Sequence, residues 1–264
     1  MTDALRAELL DVALQAARRA GALLLEGRPA DLGVAATKTS PIDVVTEMDL
    51  AAEKLITGYL AERRPGDGLL GEEGTSAPGT TGVRWVIDPI DGTVNYLYER
   101  QDWAVSVAAE LDGHPVVGVV AAPARGEVYH AALGQGARRD GHPVRCRPGP
   151  SLDQALIATG FNYVETTRAE QAAIVRELLP RVRDIRRSGS AALDLCDVAC
   201  GRADGYYERG THPWDWAAGE LIAREAGALT GGREPGSRPD SALTLAAAPQ
   251  LYGVLRETLL SLGA

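Results

Sequence analysis

The run Trp85-Val86-Ile87, followed at once by Asp88-Pro89-Ile90-Asp91-Gly92-Thr93, is the hardest constraint in this chain. Large apolar and β-branched residues in succession predict a buried strand. The run predicts its own end at Asp88, because a carboxylate does not belong in an apolar layer. Pro89 fixes φ and has no N–H to donate, so the turn between Asp88 and Asp91 is stiff. Gly92 admits close backbone approach, and Thr93 offers a hydroxyl. A helical turn past Thr93 would present free N–H groups, which make an anion site. Hard oxygen ligands beside a phosphate cradle are what metal-assisted phosphate chemistry needs. Asp, Pro and Gly also favour plain surface turns, so the stretch alone leaves both readings open.

A length of 264 residues accommodates one large domain or two half-sized ones with a sizeable core. Charge is more informative. A net −9 argues against a general binder of nucleic acid or anionic membrane, and it suits a protein whose acidic sites take cations. Residues 1–27 do not read as a signal peptide, since Asp3, Glu8, Asp11, Arg18 and Arg19 interrupt any apolar core. No run reaches membrane-spanning length, so a cytoplasmic protein is expected. Three scattered cysteines exclude a disulfide scaffold, and Cys196 and Cys200 suit small buried positions in a helix. The histidines at 114, 130, 142 and 212 lack zinc-ligand spacing.

Leu5, Leu9, Val12, Ala13, Ala16 and Ala20 recur at helical spacing and predict a helix over 2–27, ended by Gly27 and Pro29. A loop through Lys38 and Asp43, a solvated pair of little energetic weight, leads to a second helix. Thr46 is its N-cap, Asp49 stands at the third helical position, and Ala51, Leu55, Ile56 and Tyr59 form the apolar stripe. Asp49 is either a capping partner or a functional carboxylate. Glu72 and Glu73 sit at the mouth of a Thr/Ser/Ala/Pro/Gly stretch over 74–82, read as a mobile loop and a candidate lid. Strands follow at 103–110, 116–121 and 127–133, with Asp112-Gly113 as a hairpin turn.

Pro148-Gly149-Pro150 marks a boundary between an N-terminal α+β half, 1–147, and a C-terminal α/β half, 148–264, forming one compact unit. The second half alternates: strand 154–160, helix 168–179, strand 184–186, helix 190–200, strand 203–208, helix 214–227. A Gly/Pro loop at 231–239, a strand at 242–247 and a closing helix from 249 complete it. Asp215 near a helix start is either a cap or a ligand.

Four blocks then fall into a known order: D-x-V-T-x-x-D at 43–49, G-E-E at 71–73, W-V-I-D-P-I-D-G-T-x-N at 85–95, and W-D-x-A with a following E-A-G at 214–227. Together with G-S-A-A and Y-Y-E between 189 and 208, the chain resembles the inositol monophosphatases of the lithium-sensitive, magnesium-dependent phosphatase superfamily. The resemblance implies a layered αβαβα sandwich, of the inositol monophosphatase and fructose-1,6-bisphosphatase type, and hydrolysis of a phosphate monoester. By similarity, Glu72, Asp88 and the carbonyl of Ile90 would hold one Mg²⁺. Asp88, Asp91 and Asp215 would hold a second, and Glu72 would contribute to a weaker third. Thr93, paired with Asp49 and assisted by Glu72, would activate water. Gly92 and Thr93 N–H groups would hold phosphate, and Asp91, Ala191 and Glu208 would contact inositol hydroxyls. A homodimer is the family expectation.

The family's aromatic and histidine positions after G-T-x-N carry Tyr96 and Tyr98 here, Pro213 precedes Trp214, and 161–170 carries no decodable substrate contact. Fructose 1,6-bisphosphate, histidinol phosphate or a 3′-phosphonucleotide remain alternative substrates, with Arg186 and Arg187 available to a second phosphate. A non-catalytic regulatory binding protein on this scaffold is the other alternative.

Overall fold

Alternation decides the central sheet. In the computed structural model, which describes residues 1–264, Trp85 and Ile87 face one apolar layer while Val86 faces the other. The neighbouring strands repeat this, with Val105, Val107 and Ala109 on one side and Ala104 and Ala108 on the other. A strand buried on both faces has no polar side to show, which is why these segments read as unbroken apolar runs.

The first half runs α1 (Asp3–Glu26), β1 (Ala36–Thr37), β2 (Val44–Val45), α2 (Glu47–Arg63), β3 (Gly68–Gly71), β4 (Ser76–Ala77) and β5 (Val83–Asp91). It continues with α3 (Thr93–Leu97), β6 (Ala104–Leu111), β7 (His114–Ala122), β8 (Glu127–Ala132), β9 (Ala137–Arg139) and β10 (His142–Val144). The second half has β11 (Leu156–Thr159), α4 (Glu165–Leu178), β12 (Asp184–Arg186), α5 (Ala191–Ala199) and β13 (Gly205–Glu208). It closes with α6 (Pro213–Glu225), β14 (Leu229–Gly231), β15 (Thr244–Ala247) and α7 (Pro249–Ser261).

Strands β10-β9-β8-β7-β6-β5-β3-β4 form an eight-stranded sheet, antiparallel except where β3 pairs parallel with β5. Strands β12-β11-β13-β15-β14 form a five-stranded mixed sheet in which β11 runs parallel to both β12 and β13. Helices α1 and α2 cover the outer face of the larger sheet. Helices α5 and α6 fill the space between the sheets, and α4 and α7 cover the far face of the smaller one. The layers are therefore αβαβα.

Several expectations change in detail. Strand β5 does not stop at Asp88 but runs on to Asp91, with its pairing to β6 broken between them. Pro89 explains the break, since it has no N–H for the ladder. Asp112-Gly113 makes the expected hairpin, both residues at positive φ (51° and 76°). Asp140-Gly141 does the same (51° and 79°) and joins β9 to β10, a pair the sequence reading missed although the same dipeptide stood there. Strand β14, another addition, occupies Leu229–Gly231.

The stretch 74–82, expected to be a mobile loop, is tied down. Its Ser76–Ala77 pairs with β3, and the buried Glu53 accepts the N–H groups of Glu73 and Thr75 and the Thr75 hydroxyl. This also explains the rotation of α2. Its buried face is Asp49, Ala52, Glu53, Ile56, Tyr59 and Leu60, whereas Ala51 and Leu55 are only half-buried. Two buried carboxylates on the inner face make that face less apolar than hydropathy expects.

Helix α6 crosses β7 so closely that a Cβ on Gly118 would stand 2.7 Å from the Ala218 carbonyl oxygen and 2.9 Å from its Cα. Backbone cannot swing aside as a long side chain can. Gly118→Ala is expected to cost about 1–3 kcal/mol by overpacking, read as a lower midpoint in urea denaturation with an unchanged slope.

Candidate active site

The two sheets open onto a cleft of about 280 Å³ where the ends of β5 and β13, the starts of α5 and α6, and the β1–β2 hairpin meet. Glu72, Asp88, Ile90, Asp91, Gly92, Thr93, Ala191, Glu208 and Asp215, each singled out from sequence, line it. Asp49 is fully buried behind the wall and reaches the cleft through Thr93, whose Oγ1–H lies 3.0 Å from Asp49 Oδ1 and 3.1 Å from the Ile90 carbonyl oxygen.

The capping and functional readings of these carboxylates turn out to be compatible. Asp49 Oδ2 accepts the Thr46 N–H (2.8 Å) and hydroxyl (2.6 Å) and closes the capping box of α2, leaving Oδ1 for Thr93. Asp215 Oδ2 accepts the His212 N–H at 2.6 Å from the third position of α6, and Pro213 simply occupies the first. Asp88 Oδ1 accepts the Ile90 N–H at 3.0 Å. Asp91 Oδ2 takes both the Ser190 hydroxyl and the Ala192 N–H at 2.6 Å, binding β5 to the start of α5. One oxygen of each of Asp88, Asp91 and Asp215 is thus held by the backbone or an N-cap hydroxyl, and the other is left to the cleft.

Gly92 makes the turn possible. Its φ is +98°, and a Cβ there would stand 2.9 Å from the Asp102 carbonyl oxygen and 3.1 Å from that of Gly189. Asn95 spans the same corner, donating to the carbonyls of Asp102 (2.6 Å) and Ser188 (2.9 Å).

Lys38 does not pair with Asp43. Its Nζ lies 2.8 Å from Glu72 Oε1 and 2.7 Å from Glu73 Oε1, while the Asp43 carboxylate caps the N–H and hydroxyl of Thr39. Glu73, expected at a solvated loop mouth, has a side chain only 4% exposed. Burial would lower the Lys38 ammonium, but the two glutamates outweigh it and raise it. Of the two candidate arginines, Arg186 turns away to Asp184, whereas Arg187 lines the cleft without an ion pair.

Burial dominates the electrostatics. It raises Asp88 well above the carboxylate range, with the charges of Glu72, Asp91 and Asp215 adding to it. Asp215 is raised in the same way, by burial and then by Glu72 and Asp91. Burial lifts Glu208 to about 7 against the opposing pull of the Tyr206 hydroxyl, which donates to Oε2 at 2.9 Å, and of Arg187. Glu73 is lifted to about 7, chiefly by burial. Asp49 is also raised by burial, against its hydrogen bonds from Thr46 and Thr93.

An oxygen-only donor set that penalises its own negative charge fits a hard divalent cation. No three of the chain's acidic, histidine or cysteine side chains converge closely enough to make a ready-made metal shell. Lys38 is the cation set between Glu72 and Glu73. The fit is one of chemistry and shared lining, not of an assembled cage.

Sequence reasoning missed part of the wall. Phe161, Asn162 and Tyr163 line the cleft between β11 and α4, and Asp194 lines it from α5. Asp194 carried a signal, standing three residues after Ala191 on the same helical face. The 161–163 segment carried none, because its place depends on a crossover connection.

An αβαβα sandwich with an acidic cleft at this corner defines a class of phosphatase-type folds. The family described as the inositol monophosphatase family matches residues 5–261, and the chain belongs to it. It is 46% identical over 239 residues to the inositol-1-monophosphatase SuhB of Mycobacterium tuberculosis, covering 87% of this chain and 81% of that protein. It is 41% identical over 227 residues to the Nus factor SuhB of Escherichia coli, covering 84% of each. The solved structure of the extragenic suppressor protein suhB of Bartonella henselae superposes with a TM-score of 0.87 at 35% identity, covering 94% of this chain and 97% of that one. No helix is long and apolar enough to cross a membrane.

Raised carboxyls hold protons in the folded state that the unfolded chain has already lost. Between the ordinary glutamate value of 4.5 and about 7 the native state binds more protons, so its stability falls as pH rises. In a chelator, the urea midpoint is expected to drop from pH 4.5 to pH 7, and added Mg²⁺ at pH 7 to restore it. A midpoint that rises across that window would contradict the electrostatic account.

Proposed function

We propose that the protein hydrolyses a phosphate monoester with Mg²⁺, inositol 1-phosphate being the best candidate substrate. The observation that carries the reading is the Thr93–Asp49 hydrogen bond opening on a cleft lined by Glu72, Asp88, Asp91 and Asp215. Glu72, Asp88 and the Ile90 carbonyl would hold one cation. Asp88, Asp91 and Asp215 would hold a second, with Glu72 serving a weaker third. When bound, the cation lowers the pKa of water and offsets negative charge developing on the phosphoryl group.

The chain's own groups do the rest. Thr93 Oγ1 donates its proton toward Asp49 Oδ1, which leaves its lone pairs facing the cleft to accept a proton from the attacking water. Asp49, raised by burial, suits the role of acceptor at the end of that relay. The N–H groups of Gly92 and Thr93 open α3, where no intrahelical partner exists, and would hold phosphate oxygens. With Asp91 Oδ2 committed to Ser190 and Ala192, its metal and polyol roles both fall to Oδ1. Glu208 would accept from a ring hydroxyl and disfavour a second phosphate beside it, and Ala191 would leave room for the ring.

A second reading is a regulatory binding role on this scaffold, favoured by the similarity to a protein named a Nus factor. It requires none of the cleft carboxylates.

The test is phosphate release from inositol 1-phosphate, fructose 1,6-bisphosphate and histidinol phosphate, with and without Mg²⁺. Mg²⁺-dependent release fastest from inositol 1-phosphate is expected, and Asp88→Asn should lower kcat by roughly 10²–10³-fold, as loss of a charge-stabilising group does. Undiminished turnover in that variant would sink the mechanism. Faster release from another ester would keep the chemistry and move the substrate.

A further inference from the structure

Asp194 is a carboxyl in the cleft that the mechanism above leaves without a task. It lies in the first turns of α5, 3% exposed, with its side chain on the wall of the cavity. No hydrogen bond of good geometry reaches the carboxyl from anywhere in the protein, and only the Ser188 hydroxyl, which is directed at the Ser190 carbonyl, lies beside it. The residue is buried but its carboxyl opens onto the cavity, so its hydrogen-bonding capacity is left for what enters the cleft. A partner for it can come from the cavity that it lines.

Its surroundings indicate what that partner is. Glu208 stands close enough for the two carboxyls to feel each other's charge. Glu208 Oε2 is held by Tyr206, which leaves Oε1 without a hydrogen bond from the protein. Ala191, on the same helical face as Asp194, lines the cavity as a small residue beside it. Two neighbouring acceptors with a small residue beside them suit two neighbouring donors, which is what a vicinal diol presents. Arg187, the cleft cation without an ion pair, lies at the exposed rim and offsets the burial of Glu208 only in part.

We propose that Asp194 is a specificity-determining residue that receives one hydroxyl of the polyol part of the substrate, next to the hydroxyl received by Glu208. The cleft thereby selects phosphate esters of vicinal polyols over esters of simple alcohols. This rests on the phosphatase reading given under Proposed function.

The experiment compares kcat/KM for inositol 1-phosphate and for phenyl phosphate, which has no free hydroxyls, at saturating Mg²⁺ in wild type, Asp194→Leu and Asp194→Asn. Leucine matches the shape and removes the hydrogen bond, while asparagine keeps a hydrogen-bonding group in place. The leucine variant is expected to lower the ratio of the two kcat/KM values by about 10- to 100-fold, mainly through KM for inositol 1-phosphate, with asparagine restoring most of it. A purely structural role would lower both substrates together and leave the ratio alone. An unchanged ratio in Asp194→Leu overturns the assignment by itself. Wild-type protein that releases phosphate from neither ester overturns the phosphatase reading and the assignment with it. If the leucine variant fails to fold, Asp194→Ala supplies the same comparison.

Discussion

Negative charge held out of water is the condition this structure is built around. Asp88, Asp91 and Asp215 all stand in one cleft, each raised above its ordinary range first by burial and then by acidic neighbours. Hydrogen bonds to the charged oxygens offset part of that penalty. The fold provides them from backbone N–H groups at Ile90, Ala192 and His212, at positions where two of those residues begin helices. The ends of α5 and α6 are therefore structural partners of the cleft as much as its walls. This is also why α5 and α6 lie between the sheets: their N-termini must reach a strand end that belongs to the larger one.

Much of the fold was legible because it depends on local pattern. The helical spacing of α1, the Asp112-Gly113 turn and the alternation of the second half follow from residues near one another in the chain. What escaped was set by distant partners. The inner face of α2 reads as poorly apolar because Asp49 and Glu53 occupy it, and only the positions of Thr93 and of the 71–75 loop explain them. Likewise β5 passes through two carboxylates that hydropathy would exclude from a strand, since Pro89 breaks the ladder and the aspartates face a cleft.

The candidate site was legible as a set of residues and less so as a geometry. Asp49 and Asp215 each supported a capping and a functional reading, and the structure makes the caps real without excluding the function. Lys38 was read with the wrong partner because Asp43 is five residues away while Glu72 and Glu73 are distant in sequence. Phe161–Tyr163 could not be placed at all, since the wall they form exists only once β11 lies beside β13.

The contact between Asp91 and the Ser190–Ala192 turn joins residues 99 and 101 positions apart. Closing so long a loop carries a large entropic cost that nearby contacts do not share. The corner is therefore complete only when β5 and the start of α5 are both in place. During synthesis an emerging chain can complete the larger sheet and still have no working pocket until α6 has left the ribosome. An intact cleft in this architecture is a sign that both halves of the chain have come together.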